Sequence, residues 1–339
     1  MTARGKTRRR HLVSAGQLAL TLAATLCVGF FVAVPSLTSA PREASAGTVV
    51  SSSVVTRGST IPLPGQGTPH GIELQVGPGT PAGDSRVVRM KLNGRERGYL
   101  LLPAVGLAPS TKSALLVVLH QDVGSARAVA QGLGLDALRR QGIALAYPAG
   151  VAGSWNAGSC CGQAKTDGID DVEFVDAVFD DVSRRLNIDP RRRGLLGYSG
   201  GGMLTYRVLC QGHPDLVAAV EVSGSLEAAC PSDVTLPDML SIHGALDGTI
   251  GLSKPVHVTR LGITPRTVLS TLSTMTWLAG CGDRTSHDAD GVRYLHWSAC
   301  RGGSSLDVQI VADAGHGWDD IGAAERAMPF LVQRLSRRA

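Results

Sequence analysis

A serine hydroxyl attacks a carbonyl efficiently only when a base takes its proton and an acid holds that base in place. The sequence offers such a serine in Gly197-Tyr198-Ser199-Gly200-Gly201. An apolar strand pattern precedes it, and a helical pattern carrying Met203, Leu204 and Val208 follows. On a tight strand-to-helix turn the flanking glycines remove side chains that would clash, and the helix N-terminus beyond Ser199 favours negative charge. Two partners stand downstream, each just past an apolar stretch. Asp247 follows Ser241-Ile242-His243-Gly244-Ala245-Leu246, and His316 lies within Val311-Ala312-Asp313-Ala314-Gly315-His316-Gly317-Trp318. Taken singly, Asp247 reads equally as a turn residue before Gly248, and His316 as a hydrogen-bonded loop histidine. The order serine, acid, histidine, with each residue at a strand end, favours the catalytic reading. Among the rivals His243, Asp313, Asp319 and Asp320, His243 belongs to a strand end, and Asp319 and Asp320 read as caps of the following helix.

These residues need a frame that brings them to one place. Residues 86–92 and 97–102 read as strands joined by Asn93-Gly94, a strong hairpin signal. Residues 114–119 and 143–147 are continuous apolar runs, as strands buried on both faces should be. Residues 194–198, 216–222, 238–243 and 306–312 read as further strands. Helical spacing appears at 126–140, 172–186 (with Asp170 or Asp171 as N-cap), 200–210, 267–279 and 323–335. Strands alternating with helices imply an α/β fold: a mostly parallel central sheet with helices on both faces. In such sheets the site lies at the carboxyl ends of the strands, where Ser199, Asp247 and His316 fall.

The chain has 339 residues and a formal net charge of +5. That charge sits in residues 1–46, which hold six basic residues and one acidic one and leave 27 basic against 27 acidic residues elsewhere. A neutral domain lacks the electrostatic footprint of a nucleic-acid partner. The dense basic stretch from Arg184–Arg185 to Arg191–Arg193 reads as solvated charge flanking a helix and a strand.

Residues 6–10 carry four basic side chains, residues 12–34 form a mainly apolar run broken by Ser14, Gln17 and Thr21, and Ala44-Ser45-Ala46 fits a small-x-small cleavage site. The expectation is a cleaved signal peptide over residues 1–46 and an extracellular protein. A retained N-terminal membrane anchor is the alternative, because the apolar run reaches spanning length. Residues 47–85, rich in Gly, Ser, Thr and Pro, read as a flexible linker, and 86–339 as the catalytic domain. Beyond Cys27 there are six cysteines: Cys160, Cys161, Cys210, Cys230, Cys281 and Cys300. An even number after an export signal favours disulfides over metal. Cys281 and Cys300, flanking a polar loop with His and Asp, are the expected local pair. No pair has the two-residue spacing of a zinc knuckle, so no metal is expected.

The chain resembles the extracellular esterase family that includes polyhydroxybutyrate depolymerases, feruloyl esterases and acetylxylan esterases. The resemblance runs from about residue 97 to 335. It rests on Tyr147-Pro148, on Ser154-Trp155-Asn156-Ala157-Gly158-Ser159-Cys160-Cys161-Gly162, on Ile169-Asp170-Asp171-Val172 and on Asp189-Pro190-Arg191-Arg192. The serine turn with Met203 and Tyr206-Arg207, then Ile242-His243-Gly244 with Asp247, and Gly315-His316-Gly317-Trp318 complete it. It implies the α/β-hydrolase fold, a triad of Ser199, Asp247 and His316, and Trp155 and Trp318 beside the substrate. It also implies a secreted serine esterase acting on polyesters or on polysaccharide-linked acyl or feruloyl esters, with no cofactor.

The chain departs from that family at His120-Gln121-Asp122, where His is usually followed by Gly, and at Gly200, where Asn often follows the serine. The backbone N–H groups of Gln121 and Gly200 remain the expected oxyanion hole. The Gln121 side chain narrows the approach, and an ionised Asp122 opposes an oxyanion. The same triad serves an acyltransferase or a serine peptidase, since pocket shape sets the acceptor and the scissile bond. A secreted binding protein that kept the fold is the non-catalytic alternative, with the altered 120–122 loop as its support.

Overall fold

Apolar runs too short for a buried helix and with no polar face become the middle of a sheet. Ser113–Leu119 (β3) and Ile143–Pro148 (β4) are buried along their whole length. Arg86–Leu92 (β1) and Arg95–Leu102 (β2) form the expected hairpin, with Asn93 and Gly94 both at positive φ in the turn. The sheet continues through Ile188–Tyr198 (β5), Leu216–Val222 (β6), Asp238–Gly244 (β7), Arg284–Ala289 (β8), Val292–Trp297 (β9) and Leu306–Val311 (β10). The strand order is β1-β2-β4-β3-β5-β6-β7-β10-β9-β8. The six strands from β4 to β10 run parallel, and antiparallel pairs close both edges. In the computed structural model the described residues are 77, 84–211 and 215–336, all within a unit running from Gln66 to Ala339. The expected signal segment, and the linker apart from residues 77, 84 and 85, lie outside the described residues. Among the described residues, no helix is long and apolar enough to cross a membrane.

Helices cover both faces. On one, Asp171–Arg185 (α3), Gly200–Gln211 (α4) and Val268–Leu278 (α5) bury Phe174, Val178, Phe179, Leu204, Val208, Leu272 and Met275 against Leu115, Val117, Leu119 and Leu195. On the other, Ala126–Gly132 (α1) and Ala323–Leu335 (α6) bury Val129, Ala327, Leu331 and Leu335 against Leu116, Val118, Leu145 and Leu196. Each fully buried Leu or Phe contributes about 1.5–3 kcal/mol relative to exposure. Side-chain caps start three helices: Ser125 accepts from Ala128 N at 3.2 Å, Asp170 from Glu173 N at 3.0 Å and Thr267 from Ser270 N at 3.2 Å. A short helix, Gly162–Thr166 (α2), follows the paired cysteines Cys160 and Cys161.

Four expectations need correction. The helix expected over 126–140 stops at Gly132, because Gly134 turns left-handed at φ 69° and a 3-10 helix takes over at Leu135–Gln141. The polar stretch between Cys281 and Cys300 is not a loop but the β8–β9 hairpin, turned at Asp290 and Gly291 with φ of 50° and 70°. Asp319 and Asp320 do not cap α6, whose N-cap is Gly322 in the left-handed region. Arg193 is not solvated: it is buried, with Asp215 at 3.2 Å and Ser183 Oγ at 2.9 Å. Cys281 and Cys300 pair as expected, and Cys210–Cys230 is a further pair.

Candidate active site

The serine turn is built by close approach. Ser199 has φ 54°, a left-handed conformation that costs a non-glycine residue energy and is held by its surroundings. Its N–H donates to Val222 O at 2.8 Å, and its carbonyl accepts from Met203 N at 2.9 Å, so the residue is fixed between β6 and α4. The neighbouring glycines have no room for a side chain. A Cβ on Gly197 would run into the Gly201 carbonyl, and one on Gly201 into the carbonyls of Leu119 and His120. Gly201→Ala therefore tests which effect wins. Helix propensity alone favours Ala by about 1 kcal/mol. Overpacking against backbone that cannot yield costs about 1–3 kcal/mol. The expected outcome is a lower melting temperature in thermal denaturation, together with reduced ester turnover, because α4 is pushed off the end of β3.

The structure brings Ser199, His316 and Asp247 together. His316 Nε2 lies 2.9 Å from Ser199 Oγ, and His316 Nδ1 lies 2.7 Å from Asp247 Oδ2. The other carboxylate oxygen of Asp247 accepts from Thr249 N at 2.7 Å and Ile250 N at 2.8 Å. With one Asp247 oxygen accepting from these two N–H groups, the His316 tautomer with its proton on Nδ1 would complete the hydrogen bonding of the other oxygen and turn the Nε2 lone pair toward the serine hydroxyl. The two partner loops are stitched to each other by Ala245 N to Val311 O at 2.8 Å and Leu246 N to Ala314 O at 2.9 Å. Tyr198 adds a hydrogen bond to the His316 carbonyl at 3.3 Å. Chemically, the array has the geometry that proton transfer from a hydroxyl to an imidazole requires. The rival Asp313 is exposed and Asp320 packs near Gly317.

The 120–122 loop lies beside this array. His120 is fully buried; Gly150 N donates to its Nε2 at 2.9 Å, so Nδ1 carries the proton and donates to Gln121 O at 2.7 Å. Burial pushes the imidazole down to about 4, which keeps it neutral. Gln121 is partly buried, and Asp122 packs directly over Gly200, the first residue of α4.

The two tryptophans expected beside the substrate are placed otherwise. Trp155 is fully buried, stacks near the His120 ring at 4.6 Å, and donates from Nε1 to the His120 carbonyl at 2.8 Å. Trp318 is buried edge-on against Tyr198 at 5.6 Å. Trp155 holds the 120–122 loop from behind and Trp318 packs under the His316 loop; neither offers a ring face to a ligand. The large apolar side chains exposed on the site loops are Val123 and Leu246, next to Asp122 and Asp247.

One polar cluster was not foreseen. Glu221, fully buried on β6, accepts from Tyr206 Oη at 3.1 Å, from Ser241 Oγ at 2.8 Å and from Gly224 N, and lies 2.9 Å from His243 Nε2. The rival His243 is thus committed to a network behind the serine turn. A charged residue inside an otherwise apolar strand pattern, Leu216–Val222, was the available signal.

No protein-family model matches the chain. It is 33% identical over 236 residues to the protein named "Putative esterase NocK" of Nocardia uniformis subsp. tsuyamanensis, a match covering 66% of this chain and 67% of that protein. It is 32% identical over 169 residues to feruloyl esterase C of Emericella nidulans, covering 48% of this chain and 58% of that enzyme. Among solved structures, an acetyl xylan esterase from Aspergillus awamori superposes with a TM-score of 0.56 at 14% identity, over 74% of this chain and 99% of that one. The superposition shows the fold, a mostly parallel α/β-hydrolase sheet flanked by helices, as the alternation of elements led us to expect.

Proposed function

The chain belongs to the feruloyl esterase- and acetylxylan esterase-like family of α/β-hydrolases, and from that premise we propose that it is an exported serine esterase working through an acyl-enzyme on Ser199. The observation that carries the reading is the continuous relay from Asp247 through His316 to a serine held at positive φ. His316 Nε2 takes the Ser199 proton as Oγ bonds to the ester carbonyl carbon. Asp247 orients the imidazolium and stabilises its charge. The oxyanion is met by the N–H of Gly200, at the N-terminus of α4, and by that of Gln121. Collapse breaks the bond to the alcohol oxygen, which leaves with the proton from His316. Water, deprotonated by the same imidazole, then releases the acid.

The relatives and the site rim support a choice of substrate class within the proposal. Val123 and Leu246 give the rim two exposed apolar side chains, suited to an acyl or aromatic ester rather than a charged one. Acylated or feruloylated polysaccharide and polyester are the substrates proposed. Export is supported by the basic-then-apolar N-terminal sequence and by three cysteine pairs.

A fluorophosphonate probe should label the protein, and Ser199→Ala should abolish the labelling. A panel of short-acyl nitrophenyl esters, methyl ferulate, acetylated xylan and polyhydroxybutyrate should then reveal hydrolysis of at least one. Labelling that persists in Ser199→Ala, or a panel with no hydrolysis at all, overturns the reading.

A further inference from the structure

The loop leaving β3 carries an acid that no ion pair among the described residues accounts for. Asp122 is 8% exposed, and neither of its carboxyl oxygens has a hydrogen-bond partner among the described residues. The carboxyl lies over the start of α4: a Cβ added to Gly200 would sit 2.8 Å from its Cγ and Oδ2 and 3.0 Å from its Oδ1. Another side is walled by Cys160 and Cys161, whose sulfurs and an Asp122 oxygen all lie within 4.8 Å of one another. Because those cysteines are paired, they do not titrate and they donate no hydrogen bond.

Few charged or titratable groups face this carboxyl. Arg260 acts on it electrostatically and favours the ionised form. His120, in the same loop, is neutral, with both ring nitrogens already bonded to Gln121 O and Gly150 N. Ser199 and His316 lie beyond Gly200 and are bonded to each other. Burial outweighs Arg260 and pushes the Asp122 carboxyl up to about 6. A neutral carboxyl in a dry site is a hydrogen-bond donor, and one without an acceptor is costly. In the reaction proposed above, an acceptor arrives when the tetrahedral oxyanion forms at the Gly200 N–H. An acid kept neutral by an apolar site can donate to such an oxyanion.

Resting on the esterase reading, we propose that Asp122 is a further catalytic residue, whose protonated carboxyl donates a third hydrogen bond to the oxyanion beside Gly200. The proton stays on Asp122 throughout; the bond strengthens as charge builds on the oxygen and relaxes when the intermediate collapses. Two consequences follow from the sign of the carboxyl's titration. The donor is present below a pH of about 6 and is lost above it, where the ionised group opposes the oxyanion instead. The fold also loses stability as pH rises from the unfolded carboxylate range through about 6, since the native site disfavours the charge.

The experiment is the pH profile of kcat and KM for p-nitrophenyl acetate over about pH 4 to 9, followed at a pH-independent wavelength. It compares the wild type with Asp122→Asn, Asp122→Ala and Ser199→Ala. The wild type should show an alkaline limb with an apparent pKa near 6. Asp122→Asn, which keeps a donor without a titrating charge, should hold the acid-side kcat within about threefold and lack that limb. Its melting temperature should exceed the wild type's at pH 8 and approach it at pH 4, which also shows that it folds. Asp122→Ala should lose on the order of 10²-fold in kcat on the acid side, the usual effect of removing one oxyanion donor, with KM little changed, and the deficit against the wild type should close above a pH of about 6, where the wild type has no donor left to lose. An Ala variant as fast as the wild type at acid pH, or an Asn variant that retains the limb, sinks the inference while leaving the esterase reading intact. A wild type that neither hydrolyses an ester nor takes a fluorophosphonate removes both together.

Discussion

Ser199→Ala should lower kcat for ester hydrolysis by on the order of 10⁴–10⁶-fold while leaving KM and the melting temperature almost unchanged. The hydroxyl pairs with His316 Nε2, and the turn is held by backbone hydrogen bonds to Val222 and Met203 that alanine keeps. Alanine at φ 54° is as strained as serine, so the exchange is nearly neutral for folding. His316→Ala should cost a similar factor, and the double variant hardly more than either alone, because nucleophile and base act as a unit. Asp247→Asn should cost on the order of 10⁴-fold, since an amide in that place favours the wrong imidazole tautomer. Steady-state kinetics on a nitrophenyl ester, with circular dichroism as the fold control, checks all four. Additive losses in the double variant would mean that Ser199 and His316 do not share one proton transfer.

Much of this site was readable because chemistry and fold are coupled at strand ends. Ser199, Asp247 and His316 were each ambiguous alone. Their order, and their positions after apolar strands, point to one edge of a parallel sheet from sequence alone. What sequence reading missed has a common cause. It is the set of contacts between residues far apart in the chain, where local pattern says nothing about direction. Trp155 has the composition of a ligand-binding residue, but its indole N–H finds the carbonyl of His120, 35 positions earlier, and the ring is buried as a result. Asp122 reads as a charge in a loop; only the packing of that loop on Gly200 and on Cys160–Cys161 buries it and pushes its carboxyl up to about 6. The β8–β9 hairpin is a different kind of miss. Its Asp290-Gly291 turn is a local signal of the same type as Asn93-Gly94, but the flanking polar residues hide a strand that lies exposed at the sheet edge.

The second large effect links stability to the same loop. Arg97 on β2 and Asp171 at the start of α3 form an ion pair at 2.7 Å, with side chains only 3% and 0% exposed. Arg97 also lies 3.7 Å above the Phe174 ring and reaches the Ala149 carbonyl at 3.4 Å. Removing one partner strands a buried charge, so Asp171→Ala should cost about 3–5 kcal/mol. For a domain of this size that corresponds to a fall of very roughly 6–20 °C in melting temperature. Replacing both residues together by apolar ones of similar volume should recover most of the loss, because the pair's attraction mainly offsets its own desolvation. Turnover should respond differently. Asp171 Oδ2 also accepts from Asn156 N at 2.7 Å, and Asn156 is followed in the chain by the segment leading to Cys160–Cys161 and preceded by Trp155. Trp155 in turn holds His120, so an apolar pair that restores stability still leaves Asn156 N without its acceptor and the 120–122 loop less firmly held. The double variant should therefore regain its melting temperature in thermal denaturation but not its kcat. Recovery of both would mean that the loop beside Gly200 is positioned independently of Asp171.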